Sequence, residues 1–143
     1  MIRFKRISSR FSLSNEKGQA LVELAITLPI LLLMICAIID FGWFLSNQLT
    51  LSYCSREGAR YGIVHANDTG AVQAITDRVI AVAPDYISDK ITVAVTFSNP
   101  TSRRLGDVTV HVEAGIVALT PVTGVFVQGE TVTLVSQCVM KAE

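Results

Sequence analysis

The sequence predicts an α+β protein in which one long N-terminal helix packs on a small three-stranded antiparallel sheet, with one additional short helix. Three observations lead to this prediction. An apolar run near the N-terminus is long enough to cross a membrane, and a helical pattern of apolar residues follows it directly. The C-terminal half then contains three segments in which apolar and polar residues alternate.

The apolar run extends from Ala20 to Ile39, and Glu23 is its only charged residue. A helix of about 20 residues is about 30 Å long, which matches the hydrocarbon thickness of a bilayer. The chain has 143 residues, half of them hydrophobic, and its mean hydropathy of +0.48 is high for a water-soluble domain of this size. We therefore predict a single-pass membrane protein with a transmembrane helix over residues 19–40 and room for one small domain.

The basic residues are concentrated at the N-terminus. Residues 1–18 contain five Lys or Arg and one Glu, a net charge of +4, whereas the remaining residues carry seven Lys or Arg and eleven Asp or Glu, a net charge of −4. Basic residues beside a membrane span hold that end of the chain in the cytoplasm. We therefore predict a basic cytoplasmic leader over residues 1–18 and an extracytoplasmic domain over residues 41–143. This interpretation is favoured over nucleic-acid binding, which we do not expect.

A removable secretory signal is an alternative interpretation of a basic segment followed by an apolar run. The run is longer than the roughly 7–15 residues usual in such signals. No small-x-small cleavage site follows it in Asp40-Phe41-Gly42-Trp43-Phe44. The membrane helix is therefore the favoured interpretation.

The predicted helix continues beyond the membrane. Apolar residues there fall into two sets with spacings of three and four residues, namely Leu45, Leu49 and Tyr53 in one and Leu51, Cys54, Gly58 and Tyr61 in the other. Both spacings are helical. We predict one continuous helix from about Gln19 to about Tyr61, kinked at Pro29 because proline removes one backbone hydrogen bond.

A second, short helix is predicted before the sheet. Asp68 or Thr69 can cap its N-terminus, and it should run to about Ala83 because Pro84 cannot continue it. Its apolar face is predicted to consist of Val72, Ile75, Val79, Ile80 and Ala83.

Three later segments show the period of two that is typical of strands with one buried and one solvated face. Their predicted inward residues are Ile91, Val93, Val95 and Phe97 in the first strand, Val108, Val110, Val112 and Ala114 in the second, and Val132, Leu134, Cys138 and Met140 in the third. The segment from Gly115 to Gly129 is apolar but irregular and is predicted to be a loop. A three-stranded sheet needs a cover for its apolar face, and the amphipathic half of the long helix can supply it.

The sequence contains no pattern typical of a catalytic or cofactor site, so an enzyme is not expected. His65 and His111 have no Cys or carboxylate at metal-ligand spacing, and we predict neither a metal nor a cofactor. Glu57 is interpreted as a surface ion-pair partner of Arg56 or Arg60. In the same segment, Gly58 is predicted at a close approach of helix and sheet and Gly62 at the helix C-terminus, as a cap.

The three cysteines differ in their predicted surroundings. Cys36 lies within the predicted span, whereas Cys54 lies on the later part of the helix and Cys138 on the inward face of the last strand. A disulfide between Cys54 and Cys138 would close a loop of about 84 residues and contribute about 4–5 kcal/mol in the chain-entropy model. Two buried free thiols are the other alternative, and the sequence leaves both open.

The start of the apolar run resembles the processing site of type IV prepilins and related pseudopilins. The segment Lys17-Gly18-Gln19-Ala20-Leu21-Val22-Glu23-Leu24 places a Gly after basic residues and a Glu at the fifth position beyond it. The resemblance implies that a prepilin peptidase cuts the bond between Gly18 and Gln19, so that Gln19 becomes the new N-terminus and Glu23 its fifth residue.

Further segments are similar to the TadE-like family of minor pseudopilins of the tight-adherence (Flp pilus) secretion system. They are Gly18-Gln19-Ala20-Leu21-Val22-Glu23-Leu24-Ala25 with Leu28-Pro29, Ile39-Asp40-Phe41-Gly42, Arg56-Glu57-Gly58-Ala59-Arg60-Tyr61-Gly62, and the terminal Cys138-Val139-Met140-Lys141-Ala142-Glu143. The resemblance implies a pilin-like fold and a place in the bacterial inner membrane. It also implies three kinds of partner, which are a prepilin peptidase, other pilins or pseudopilins, and the Tad assembly platform.

Glu23 gives the resemblance a physical meaning, because a carboxylate in lipid is costly and usually marks a functional contact. Cleavage would create an α-amine at Gln19, and a neighbouring helix shifted along its axis could bring that amine beside Glu23. We expect Glu23 and Pro29 to act in subunit packing. The alternative is an uncleaved, single-pass anchored envelope protein whose outer domain binds a partner or ligand.

Overall fold

The computed structural model describes residues 16–99, 106–121 and 131–141. Over these residues the chain forms α1 (Glu16–His65), α2 (Ala71–Val82), α3 (Asp85–Ser88), β1 (Ile91–Phe97), β2 (Asp107–Val117) and β3 (Thr131–Lys141). The α+β fold with a long N-terminal helix and a three-stranded antiparallel sheet is therefore confirmed. Most of the predicted leader lies outside the described residues.

Helix α1 is 50 residues long and extends beyond the predicted range at both ends. The prediction that Gly62 caps its C-terminus is wrong, because the helix continues through Gly62 to His65. It ends in a turn in which the Asp68 amide donates to the His65 carbonyl oxygen at 3.1 Å. Pro29 lies inside the helix, and a kink at this position stays a prediction.

Among the described residues, α1 is the one helix whose length and apolar composition would allow it to cross a membrane. Its most apolar 18-residue window has a mean hydropathy of 2.7 and contains no residue buried by the rest of the protein. The chain divides into two compact units, an N-terminal unit (Met1–Ile35) and a C-terminal unit (Cys36–Glu143).

Helix α2 begins later than predicted, because Gly70 and not Asp68 or Thr69 is its N-cap. Gly70 has a φ of 84°, a left-handed conformation that glycine adopts without a steric penalty. Its buried residues are Ala71, Ile75 and Val79. The predicted face was wrong at Val72 and Ile80, which are 43% and 39% exposed.

The sheet has the order β1-β2-β3, with both pairs antiparallel. Strand β2 is longer than predicted, because Gly115, Ile116 and Val117 pair with the first residues of β3 and so belong to the sheet. The rest of the predicted loop, from residue 122 onward, lies outside the described residues. The short helix α3, which follows Pro84, was not predicted.

The core of the C-terminal unit is built on the central strand. The inward residues of β2 are at most 4% exposed, and they are Val108, Val110, Val112, Ala114 and Ile116. They cluster with Leu51, Cys54 and Ala59 of α1, Ile75 and Val79 of α2, and Ile87 of α3. The predicted cover of the sheet by the second half of α1 is therefore present, and α2 and α3 complete it.

Candidate functional site

The residues of the predicted processing site lie in the first turns of α1. Gln19 and Glu23 are exposed, and Gly18 is half-buried. The Thr27 hydroxyl donates to the Glu23 carbonyl oxygen at 2.8 Å, which is a local bond within the helix. In the described part of the chain, no side chain forms a hydrogen bond or ion pair with the Glu23 carboxylate. Within the described residues, this charge therefore has no partner.

The apolar side chains of the N-terminal unit are exposed around the helix. Leu21, Ile26 and Ile30 are each more than 60% exposed. One side of this segment forms a shallow groove of about 330 Å³, lined by Leu24, Thr27, Leu28, Ile30, Leu31 and Met34. The groove includes the residues on both sides of Pro29. Such a surface can be covered by lipid or by another helix.

The C-terminal unit has an exposed row of apolar residues of its own on α1. Phe41, Leu45, Leu49 and Tyr53 follow one another at a spacing of four along α1 and are 69%, 49%, 64% and 60% exposed. We call this row the α1 ridge. The sheet, α2 and α3 cover Leu51 and Cys54 on the other side of the helix and leave the α1 ridge open.

The glycines of the segment Arg56–Gly62 lie where α1 closely approaches α2 and β2. A Cβ atom at Gly58 would lie 2.5 Å from Val79 Cγ2 and 3.3 Å from Val110 Cγ1. At Gly62 it would lie 2.9 Å from Val108 Cγ1 and 3.0 Å from Ile75 Cδ1. The prediction of a close helix–sheet approach at Gly58 agrees with this geometry, and the absence of a side chain at Gly62 serves the same packing.

Glu57 of this segment pairs with α2 and not with its neighbours on α1. The Arg78 guanidinium donates to the Glu57 carboxylate at 2.7 Å. This hydrogen bond lowers the pKa of Glu57 below its ordinary value and raises that of Arg78. A carboxylate with a depressed pKa contributes stability that is lost as the pH falls through that pKa. The bond ties the two helices together beside the Gly58 contact.

The remaining residues of the segment divide between core and solvent. Ala59 is buried and Tyr61 is half-buried, with its ring stacked on His65 at a centroid distance of 4.1 Å. Arg56 and Arg60 are exposed. The segment therefore packs α1 in the fold and leaves two guanidinium groups on the surface.

The cysteines are free thiols in the structure. Cys54 is fully buried, and burial raises its pKa. Cys138 is half-buried and packs against the same core. A bridge between Cys54 and Cys138 in the oxidised protein stays a prediction.

Two serines of α1, rather than Cys54, bond to a side chain of β3. The hydroxyl of Ser136, which is 8% exposed, lies 3.1 Å from that of Ser55 and donates to that of Ser52 at 3.3 Å. Gln48 Nε2 donates to the Val135 carbonyl oxygen at 2.8 Å. Ser136 was absent from the predicted inward face because its residue type is polar. The seam between α1 and β3 is therefore partly polar and fully paired at these hydroxyls.

Asp40 is a buried acid whose role the sequence did not reveal. It directly follows the apolar run, yet it is only 1% exposed. Its carboxyl group accepts hydrogen bonds from the Leu119 amide at 3.1 Å and the Thr120 amide at 2.9 Å, and also from the Thr120 hydroxyl. These bonds tie the segment after β2 to α1. The signal in the sequence was an acid at the end of an apolar run, but its partners are about 80 residues away.

The histidines do not form a metal site with other described residues. His111 lies on the outward face of β2, and its Nε2 atom is 2.7 Å from Glu113 Oε1. The two side chains meet because residues two apart share one face of a strand. No group of three or more possible metal ligands occurs in the part of the chain that the structure describes.

Comparison with known proteins identifies a family for the N-terminal part of the chain. The family model described as TadE-like protein matches residues 18–60. No curated protein and no solved structure matches the chain. The predicted resemblance to the TadE-like family is therefore confirmed over residues 18–60, which extend from the predicted processing site to the Gly58 contact.

Proposed function

We propose that the protein is a non-enzymatic, pseudopilin-like membrane protein that takes part in the assembly of a Tad/Flp-type pilus. In this proposal a prepilin peptidase cuts between Gly18 and Gln19. The protein resides in the bacterial inner membrane as a single-pass protein, with its N-terminus in the cytoplasm and its C-terminal domain outside. Its partners are other pilins or pseudopilins and the Tad assembly platform.

The uncovered apolar surface of α1 is the observation that carries this proposal. Apolar side chains are exposed from Leu21 onward in the membrane-length segment, and in the C-terminal unit they are exposed along the α1 ridge as far as Tyr53. A plain membrane anchor needs apolar surface only over about 20 residues, the length that spans a bilayer. The ridge lies beyond that length, so it calls for a protein partner, and a second helix of the same kind fits its i, i+4 spacing.

Glu23 supplies the polar part of the same contact. Its carboxylate has no partner among the described residues, and processing would place a new α-amine four residues before it. At a rise of 1.5 Å per residue, a neighbouring helix shifted by roughly 6 Å would bring its own amine level with Glu23. One buried charge pair of this kind would set the stagger between subunits, a role that buried polar groups have in other helical assemblies.

The first prediction concerns the processed end. The mature protein isolated from membranes should begin at Gln19, and Gly18→Trp should leave a chain that begins at Met1. The bulky side chain is expected to prevent the leader from entering the peptidase site. Intact-mass measurement of both proteins shows whether each chain begins at Met1 or at Gln19, and it also detects cyclisation of Gln19. Lys17→Ala is the matched control and should be processed. A full-length wild-type chain in a piliated cell would contradict the proposal and favour the uncleaved anchored protein.

The second prediction separates the role of Glu23 from processing. Glu23→Gln keeps the size of the side chain and removes its charge, so we expect normal cleavage with several-fold fewer pili per cell. Pilus counts by electron microscopy, together with the mass of the mature chain, measure the two effects. Glu23→Asp, which keeps the charge on a side chain one methylene shorter, is the matched control and should retain more pili than Glu23→Gln. Normal piliation of the Glu23→Gln strain would rule out the charge pair.

A further inference from the structure

A shallow cleft of about 380 Å³ lies at one end of the C-terminal unit. It is lined by Trp43 of α1, Tyr86 at α3, Lys90 and residues 116–119 at the end of β2. The rings of Trp43 and Tyr86 pack with their centroids 5.7 Å apart. The Trp43 indole N–H donates to the Val117 carbonyl oxygen at 3.1 Å. Helix α1, α3 and the end of β2 are thus joined around this cleft.

The bonds of Asp40 and Trp43 fix the level of this cleft along α1. Leu119 and Thr120 are bound to Asp40, and Val117 is bound to Trp43. Asp40 is the first residue after the apolar run. When the run spans a bilayer, Asp40 and Trp43 lie close to the lipid–water boundary. The end of β2 and α3 are held at the level of these two residues, so they lie close to the boundary as well.

The side chains exposed around the cleft are those that favour this boundary. Leu119 is 59% exposed, Tyr86 51% and Val117 46%. Trp and Tyr are enriched at membrane interfaces, where an apolar ring and a polar tip meet their respective surroundings. Lys90 is exposed and forms no ion pair with the described residues, and the exposed Asp85 and Asp89 lie in the same short segment. Both signs of charge are thus available to a zwitterionic headgroup.

We propose that this surface rests on the phospholipid bilayer beside the span. Leu119, Val117 and Tyr86 enter the headgroup–acyl boundary, and Lys90 meets the lipid phosphate. The inference rests on the proposed transmembrane position of α1. It adds a second membrane contact, which fixes the tilt and rotation of the C-terminal unit on the membrane surface. A single helix would otherwise leave that unit free to turn about the helix axis.

Photo-crosslinking in membranes tests this second contact. The full-length protein carries p-benzoylphenylalanine in place of Leu119 and is reconstituted into vesicles of phosphatidylethanolamine and phosphatidylglycerol containing an alkyne-tagged phospholipid. The same amino acid in place of Val139 is the control, because Val139 is 54% exposed and pairs with Thr109, eight residues before Val117 on β2. Eight residues of strand correspond to roughly 27 Å. Replacement of Tyr86 provides an independent second position.

Lipid adducts should form at positions 119 and 86 in roughly tenfold excess over position 139, because interfacial side chains reach only about 5–10 Å into the headgroup region. Equal labelling at 119 and 139, or a crosslinked dimer in place of lipid adducts, would overturn the inference. Alkaline carbonate extraction of the same vesicles distinguishes the two proposals. A protein that resists extraction without lipid adducts refutes only the second contact, whereas a protein released by carbonate refutes the transmembrane position itself.

Discussion

Replacing Gly58 with alanine should lower the free energy of unfolding of the C-terminal unit by up to about 2 kcal/mol. The new Cβ atom would lie 2.5 Å from Val79 Cγ2, a distance at which one of the two groups must move. Val79 is fully buried, and a β-branched side chain has few alternative rotamers. Overpacking of this kind costs about 1–3 kcal/mol, and the higher helix propensity of alanine returns about 1 kcal/mol.

Two other glycines of α1 provide controls for this prediction. Gly42→Ala meets no atom within 4 Å, so it should leave the stability unchanged or raise it by up to about 1 kcal/mol through helix propensity. Gly62→Ala should be intermediate, because its nearest contacts are at 2.9 and 3.0 Å and one of them is the flexible end of Ile75. Thermal unfolding in detergent, followed by the fluorescence of Trp43, ranks the three variants by stability.

A double variant tests whether the contact with Val79 is the cause. Val79→Ala removes the methyl groups that the new Cβ atom would meet, so Gly58→Ala should cost less in that background than in the wild type. Residues in direct contact show such non-additivity, of about 0.5–3 kcal/mol. Additive effects, or the same effect for Gly58→Ala and Gly42→Ala, would contradict the role assigned to Gly58.

The sequence predicted the architecture where one pattern persists over many residues. The apolar run and the spacings that follow it gave α1, and alternation gave all three strands. In β2 every predicted inward residue is buried, because a central strand with one covered face shows the period of two clearly. The sequence also gave the family resemblance at the N-terminus, where the motif is local and its residues are consecutive.

Features that depend on distant partners could not be predicted in this way. Gly62 looked like a C-cap because glycine is common there, and only the approach of Val108 and Ile75 shows its packing role. Glu57 had two arginines on its own helix within reach, and the fold gave it Arg78 of α2 instead. Ser136 belongs to the core because two hydroxyls of α1 meet it. In each case the deciding atom lies on another element.

Asp40 shows a local signal in the sequence, an acid at the end of an apolar run, but its bonding partners lie on a distant element. Its replacement is the second change for which we expect a large effect. Asp40→Ala should lower the stability of the C-terminal unit by about 2–4 kcal/mol, because three donors lose their acceptor at a buried position. The amides of Leu119 and Thr120 and the Thr120 hydroxyl would then be left without this partner. Hydrogen exchange at the two amides measures the local effect, and we expect both to exchange faster.

The nearly isosteric Asp40→Asn variant distinguishes the effect of the hydrogen bonds from that of the negative charge. Its amide oxygen can still accept from both backbone amides, and the Thr120 hydroxyl can turn to accept from the new NH₂ group. The loss should therefore be smaller, about 1 kcal/mol. Asp68→Ala, at an exposed acid outside the helices, should have almost no effect. Equal losses for Asp40→Ala and Asp40→Asn would show that the charge, and not the set of three bonds, holds the end of β2 to α1. Unchanged exchange at Leu119 and Thr120 in Asp40→Ala would show that other contacts hold this segment.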